Sequence, residues 1–388
     1  MGLLKKEDFY NTFFQKDRIS SLFTKILFKY DNSLFYSSKH KSVINDFKVN
    51  FISLFPQYLT PEVSICANQK VKRLNQENLF GFGILLDGVS DIDSYLNNNF
   101  KSSTRGPIKR KLKRLESCFN IQSKIFYGKI TETEYNTIMS SLKNMLTNRF
   151  IQKNDSNEAF GKWENYLNTT LPLIKNKEAS LFVMYSNEDI IGVSLNYHKN
   201  SILIGHIIAY NIDYSKFGLG NTIVYKLIDW SIKNGYSILD MGNGALDYKR
   251  IWSNFSYNYE YYIVYNKSIA PFIIGQLEIL KIKIKNLLKK LKIISTFRRV
   301  KKILITRKKR EQNAIKPIEF EDINVNSFNE ENHIKIKNIN FSSPALRRTI
   351  FNFTFKQQEH IDNIHVFKLD EKTFIIKGKK CIQKITIN

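Results

Sequence analysis

Between residues 180 and 266 the apolar residues change period in an order that few folds accept. The segments 181–185, 190–198 and 202–210 are strand-like runs separated by short polar turns at 186–189 and 199–201, a spacing suited to antiparallel hairpins. Phe217-Gly218-Leu219-Gly220 follows. A helical stretch, 221–234, carries Ile223, Leu227, Ile228 and Trp230 at helical spacing and is closed by Gly235. Residues 238–241 then read as a short buried strand, 247–252 as a helical turn and 257–265 as an aromatic strand. Three antiparallel strands, a glycine-opened helix, a parallel strand, a short helix and a last strand predict one compact α/β unit over 180–266.

The flanking sequence is less periodic. Residues 1–80 mix aromatic-rich runs at 22–28, 34–36 and 51–55, and read as a packed α/β lobe. Residues 80–86 (FGFGILL) read as a buried strand, and Ser90 and Asp91 supply N-cap chemistry for a short helix through Tyr95 and Leu96. Pro107 suits the first turn of a further helix, where its missing N–H is no loss, and Ile108, Leu112 and Leu115 form its apolar stripe. Residues 132–147 and 159–176 continue as helices. Beyond the core, 271–305 is amphipathic: Leu277, Leu280, Ile284, Leu287, Leu291 and Ile294 follow alternating three- and four-residue steps. Residues 306–332 lack a core pattern and read as a linker. The tail alternates as strands at 333–339, 364–369, 373–376 and 381–387, with Lys377-Gly378-Lys379 as a tight turn, which predicts a small β appendage.

Charge narrows the partners. The 388 residues carry a net charge of +25, which points to an anionic partner. Residues 271–310 hold fourteen Lys/Arg against Glu278 alone, and 101–116 hold seven against Glu116 alone, so these two segments supply 19 of the 25 charges. Cys66, Cys118 and Cys381 are too widely spaced for a disulfide scaffold or a metal clip and suit a reducing compartment. Lys5, Lys6, Glu7 and Asp8 interrupt any secretory h-region, and no run approaches the roughly 18 apolar residues of a spanning helix. The expected setting is cytoplasmic, or peripheral at the inner face of a membrane.

The chemistry concentrates in residues 210–254. Gly218 and Gly220 stand where a strand is expected to hand over to a helix, so that backbone N–H groups and the helix start can approach an anion closely. On those two glycines alone, a plain turn is the commoner reading. Asp240, Gly242, Gly244, Tyr248, Lys249 and Trp252 then form D-x-G-x-G-x3-Y-K-x2-W directly after a buried strand. An Asp closing such a strand sits at the carboxyl end, where open α/β sheets host ligands. Lys249 is placed to fix a phosphate or polarise a carbonyl. The bland alternatives are a capping aspartate and a solvated lysine. His198 and His206 fall on strand runs, where a packing role is the commoner one. No Ser-His-Asp pattern, HExxH or spaced Cys/His cluster supports a hydrolase or a bound metal.

These two blocks resemble those of GNAT-superfamily acyltransferases of the CelD-like (BioF-like acetyltransferase domain) type, in which a glycine-opened helix is followed by D-x-G-x-G…Y-K-x-x-W. Asp87-Gly88, Arg105 and the basic run 108–116 (IKRKLKRLE) are similar to an upstream segment of that family, so the resemblance covers about 80–266. It implies an α+β, GNAT-like fold: a mixed, mostly antiparallel sheet flanked by helices, with the basic helix and the small β appendage added. The co-substrate it implies is acetyl-CoA or another acyl-CoA, with no metal. Gly218, Gly220, Asn221 and Thr222 would hold the pyrophosphate; Ser215 stands where the superfamily favours Gln or Arg, and Lys216 would compensate. Asp240, Tyr248 and Lys249 would line the catalytic groove with Arg105, Gly242, Gly244 and Trp252. In direct transfer Asp240 or Asp247 would be the base and Tyr248 the proton donor to the thiolate.

The Asp…Gly…Tyr-Lys-x-x-Trp pattern is also similar to Fem-type aminoacyltransferases, which use aminoacyl-tRNA. Both resemblances imply tandem GNAT-like lobes: a degenerate first lobe over 1–170 with the basic helix 107–118, a catalytic core over 171–266, a basic amphipathic helix over 267–310, a linker over 311–332 and a β-rich appendage over 333–388. The leading expectation is acyl transfer to a sugar or amine, a small-molecule or glycan acceptor, in surface-polysaccharide synthesis. A tRNA-dependent aminoacyltransferase and a non-catalytic accessory protein of the same fold are the alternatives. The 271–310 arm is expected to pack its stripe on the core, to meet an anionic membrane surface, or to contact RNA.

Overall fold

The computed structural model describes residues 2–16, 19–38, 47–153, 161, 163–244, 246–291, 319–323, 334–336 and 343–387. The basic arm beyond residue 291, Ile294 included, and most of the 311–332 linker lie outside them. The strands are β1 (Gly2–Asp8), β2 (Phe23–Phe28), β3 (Leu34–Ser37), β4 (Phe47–Pro56), β5 (Leu59–Val63), β6 (Gln69–Leu85), β7 (Ile121–Phe126), β8 (Ala179–Ser186), β9 (Asp189–Lys199), β10 (Ile202–Tyr210), β11 (Ile238–Asn243), β12 (Phe255–Asn266), β13 (Glu319–Ile323), β14 (Ile334–Lys335), β15 (His365–Lys368), β16 (Thr373–Lys377) and β17 (Ile382–Thr386). Among the described residues no helix is long and apolar enough to cross a membrane.

Two units interleave along the chain. One gathers the described residues of Met1–Gly88, Tyr197–His206 and Ser231–Glu311; the other gathers those of Val89–Asn196, Ile207–Trp230 and Gln312–Asn388. The first unit is built on strands in the order β1-β4-β12-β6-β11-β10, with a smaller sheet β3-β2-β5. β12 runs antiparallel to both β4 and β6, and β11 is antiparallel to β6 but parallel to β10, pairing Ile204 with Asp240. This is the mixed, mostly antiparallel sheet the sequence predicts. β6 extends far beyond the expected 80–86, because its polar half pairs with β12 as far as Gln69↔Asn266. One face of that half is solvated, so its run of Lys, Arg, Asn and Gln gives no apolar signal.

The helix Ile269–Lys290 covers this sheet with Gly275, Glu278, Ile279 and Ile282. Ile279 and Ile282 join Val49, Tyr261, Ile263 and Tyr265 in one apolar cluster, and a Cβ on Gly275 would fall 2.6 Å from the Tyr265 ring. Glu278 is held by Lys6 and Lys281, each at 3.0 Å. The predicted stripe at Leu277, Leu280, Ile284, Leu287 and Leu291 is not the docked face: those side chains are exposed. The sequence offers two apolar faces on one helix, and the glycine with the paired glutamate marks the one that packs.

The second unit contains β9, β8 and β7 with the end of β10, and β7 pairs antiparallel with β8. Its helices are Ile92–Asn99, Ser102–Cys118, Glu132–Lys153, Trp163–Lys175, Leu219–Lys233 and Pro344–Gln357. Asp91 caps the first of these, accepting from the Ser94 N–H at 2.7 Å. The 102–118 helix starts before the expected 107, so Pro107 lies inside it. Gly106 carries no Cβ to clash with the proline ring, which relieves the usual restriction on the preceding residue.

The C-terminal region holds two elements that the sequence pattern does not signal. The 306–332 linker contains β13, which pairs with β17 from Glu319↔Thr386 to Ile323↔Ile382. Its alternation is short and mostly acidic, with Ile323 supplying the apolar anchor. The appendage is more than strands. Besides the sheet β13-β17-β16-β15-β14 it holds the 344–357 helix, opened by Ser343, whose hydroxyl accepts from the Leu346 N–H, and by Pro344 in the first turn.

His198 illustrates how the first unit responds to pH. Its Nδ1 lies 2.6 Å from the Tyr236 hydroxyl, and burial, helped by Lys199, pushes its pKa from 6.5 down to about 3. Between those values the unfolded chain binds a proton that the folded one refuses, so stability is lost as pH falls below 6.5. Urea unfolding across that range will show a decline that is reduced in His198→Gln.

Candidate functional site

In the first unit the end of β11 is organised around a buried charge. Asp240 is 0% exposed. Its Oδ1 accepts from the Gly242 N–H at 2.6 Å and the Tyr257 hydroxyl at 2.7 Å, and its Oδ2 accepts from the Tyr58 hydroxyl at 2.8 Å. Tyr259 stands 3.1 Å from the Tyr257 hydroxyl. Burial raises the Asp240 pKa, while the donors from Tyr257, Gly242 and Tyr58 oppose the rise. Burial also pushes the pKa values of Tyr58, Tyr257 and Tyr259 well up, so these phenols keep their protons and donate them.

Two glycines and a lysine shape the turn after Asp240. Gly242 has φ +68° and Gly244 φ +105°, both in the region that side chains avoid, and the ladder with β6 shifts register between Asp240 and Asn243. Lys249 reaches back from the Asp247–Trp252 helix, and its Nζ donates to the carbonyls of Met241 and Asn243 at 2.6 Å each. Desolvation lowers its pKa to about 8, against the pull of Asp240. Trp252 is fully buried beneath the same helix, Tyr248 is half-buried and Asp247 is exposed. The D-x-G-x-G-x3-Y-K-x2-W pattern is therefore a clamp: a buried carboxylate and a desolvated ammonium hold one strand end from both sides.

A cavity of about 340 Å³ lies in this unit, lined by Lys29, Tyr30, Tyr58, Leu85, Ile238 and Phe255. Tyr58 belongs to both the cavity wall and the Asp240 network.

In the second unit the glycine turn differs from its expected form. A 3-10 helix, Ile212–Phe217, intervenes between β10 and the 219–233 helix, and Gly218 ends it with φ +70°. The Gly218 carbonyl accepts from the N–H groups of Asn221 and Thr222 at 2.9 and 3.2 Å. Those two groups, expected to hold a pyrophosphate, close the first turn of the helix. The N–H groups of Leu219 and Gly220 have no acceptor among the described residues; Leu219 is fully buried and Gly220 partly exposed, so Gly220 is the donor this helix start offers. Ser215 and Lys216 are exposed beside them.

Lys111, which the motif reading did not single out, lays its side chain over this turn: its Cδ is 3.1 Å from where a Cβ on Gly218 would sit. Gly220 is needed for packing as well, because a Cβ there would meet the Tyr210 ring at 2.8 Å, and the Arg149 guanidinium stands over that ring at 5.6 Å. Arg105 is half-buried on the 102–118 helix.

The 3-10 turn is fixed from behind by the C-terminal helix. Asp213, 2% exposed at its side chain, is met by Arg347 at 2.6 Å and Arg348 at 3.4 Å. Tyr214 and Phe217 stack with Phe119, Phe351 and Phe355 at centroid distances of 4.6 to 5.1 Å. So one cluster gathers Asp240, Gly242, Gly244, Tyr248, Lys249, Asp247 and Trp252, and the other gathers Ser215, Lys216, Gly218, Gly220, Asn221 and Thr222. Tyr58, Tyr257, Lys111, Asp213 and Arg347 are additions from the structure. The repeated glycines of FGFG were the available signal for Tyr257, since a Cβ on Gly81 would sit 2.1 Å from its ring.

Two stability measurements check these assignments. Asp240→Ala leaves two phenols and one N–H without an acceptor and is expected to cost about 3–5 kcal/mol in urea unfolding. Asp240→Asn keeps one acceptor oxygen, removes the buried charge and loses distinctly less. Arg347→Ala is expected to cost about 2–3 kcal/mol, below the figure for a fully buried pair because Arg348 partly takes its place.

Comparison with known proteins adds one positive result. The residues 102–250 match the profile of a family described as acetyltransferase (GNAT) domain. No curated protein matches the chain. Among solved structures, a conserved protein of unknown function from Bacteroides thetaiotaomicron VPI-5482 aligns with TM-score 0.40 and 9% identity, over 56% of this chain and 70% of that one. FemX aligns with TM-score 0.41 and 12% identity, over 60% and 74%. A GCN5-related N-acetyltransferase from Sphaerobacter thermophilus aligns with TM-score 0.30 and 11% identity, over 57% and 60%. These partial likenesses add nothing on activity.

Proposed function

We propose that this protein is an acyl-CoA-dependent acyltransferase of the CelD-like type, moving an acyl group from a thioester to the amine or hydroxyl of a small sugar or related acceptor in surface-polysaccharide synthesis. The observation that carries this reading is the GNAT-domain match over 102–250, a span that includes the turn where Gly220 offers an N–H group beside Lys111 and Lys216. Such a helix start, on a helix of 15 residues, suits the diphosphate of CoA. The lysines supply the charge that Ser215 does not.

In the proposed reaction the acceptor nitrogen or oxygen attacks the thioester carbonyl, forming a C–N or C–O bond as the C–S bond breaks. Asp247, exposed at its helix start, takes the acceptor proton, and Tyr248 protonates the departing thiolate. Asp240 and Lys249 act as positioning residues, since both oxygens of the one and the ammonium of the other are engaged within the protein. The aromatic wall formed by Tyr30, Tyr58 and Phe255 suits the apolar face of a sugar ring.

A second reading, aminoacyl transfer from tRNA, draws on the exposed cations Lys109, Arg110, Lys111 and Lys113 of the 102–118 helix. Calorimetry separates the two. Acetyl-CoA is expected to bind saturably and raise the melting temperature by mass action. Lys111→Ala and Lys216→Ala are each expected to weaken it about five- to tenfold through lost phosphate contacts. Absence of acyl-CoA binding, together with salt-sensitive tRNA binding lost on neutralising residues 109–113, would favour the second reading.

A further inference from the structure

The 269–290 helix carries a second apolar face that the described residues leave uncovered. Ile273, Leu277, Leu280, Ile284, Leu287 and Leu291 succeed one another in steps of four and three, and each is between 48% and 60% exposed. At about 3.6 residues per turn they fall on the side opposite Gly275, Glu278, Ile279 and Ile282, which face the sheet. Lysines border the stripe on both sides, Lys281 and Lys285 on one and Lys283 and Lys290 on the other. Lys70 adds a cation near the helix start, 5.9 Å from the Phe272 ring. The helix has one acid, Glu278, and it is turned inward and held by Lys6 and Lys281.

We propose that this stripe seats on the surface of an anionic lipid bilayer, with the helix lying in the plane of the headgroups. The charge pattern selects that occupant. A second copy docked stripe to stripe would set lysine borders against lysine borders. An anionic surface receives the aliphatic side chains between the headgroups and pairs with the lysines on both flanks. The helix is docked on its far side, so the stripe is presented already folded and seating requires no coil-to-helix step. This surface is independent of the acyl-transfer reading, since none of its residues takes part in the turn at 218–220 or the strand end at 240.

Cosedimentation of the full chain with vesicles tests it. Binding is expected on phosphatidylcholine vesicles containing phosphatidylglycerol and not on phosphatidylcholine alone. The triple variant Leu280→Gln, Ile284→Gln, Leu287→Gln is expected to lose more than about tenfold in vesicle affinity at unchanged melting temperature. The pair Lys283→Gln, Lys285→Gln is expected to lose about tenfold or more and to flatten the salt dependence. Failure to bind anionic vesicles overturns the proposal, as does equal binding by the triple variant. A dimer that depends on the stripe with no vesicle binding, or a lower melting temperature in the triple variant, overturns it as well.

Discussion

A carboxylate buried without water is tolerable only where donors surround it, and Asp240 shows how much of a structure one such group can dictate. It draws the hydroxyls of Tyr58 and Tyr257 and the N–H of Gly242 to a single point. That requirement bends the chain after Asp240, where glycines stand at 242 and 244 and Lys249 turns back to hold the carbonyls of Met241 and Asn243. It also reaches across the sheet, because Tyr257 can lie over β6 only where Gly81 leaves room. The energetic stake is large in both directions: paired, the group rigidifies the strand end; unpaired, each orphaned partner costs about 1–3 kcal/mol.

The second unit uses the same device at a different turn. Asp213 is buried in the 3-10 helix that leads into Gly218, and Arg347 and Arg348 from the C-terminal helix neutralise it. The aromatic residues around it complete the support. The C-terminal segment is thereby a brace for the turn that presents the Gly220 amide, which gives a physical role to a part of the chain that looks like an appendage in sequence.

The strands and the helix between residues 180 and 266 were legible because their apolar residues are buried and so keep a clean period. The elements that escaped notice are those where burial is one-sided or local. The outer half of β6 is polar along its solvated face, and β13 owes its place to backbone pairing with β17 and to Ile323. The 344–357 helix announced itself only through Ser343-Pro344. At the candidate site, residues adjacent in sequence were found together, as Asp240 to Trp252 were. Partners brought in by pairing or by tertiary packing, such as Tyr58, Lys111 and Arg347, leave no trace in spacing. Spacing likewise gives no sign of the 3-10 turn that intervenes before the helix, where the N–H groups of Asn221 and Thr222 meet the Gly218 carbonyl.

Amide hydrogen exchange across residues 215–222, with and without saturating acyl-CoA, tests the account most directly. It predicts that the Gly220 amide gains protection on ligand addition, while Asn221 and Thr222, already bonded to the Gly218 carbonyl, change little. Unchanged exchange at Gly220 under conditions where acyl-CoA is bound would contradict it.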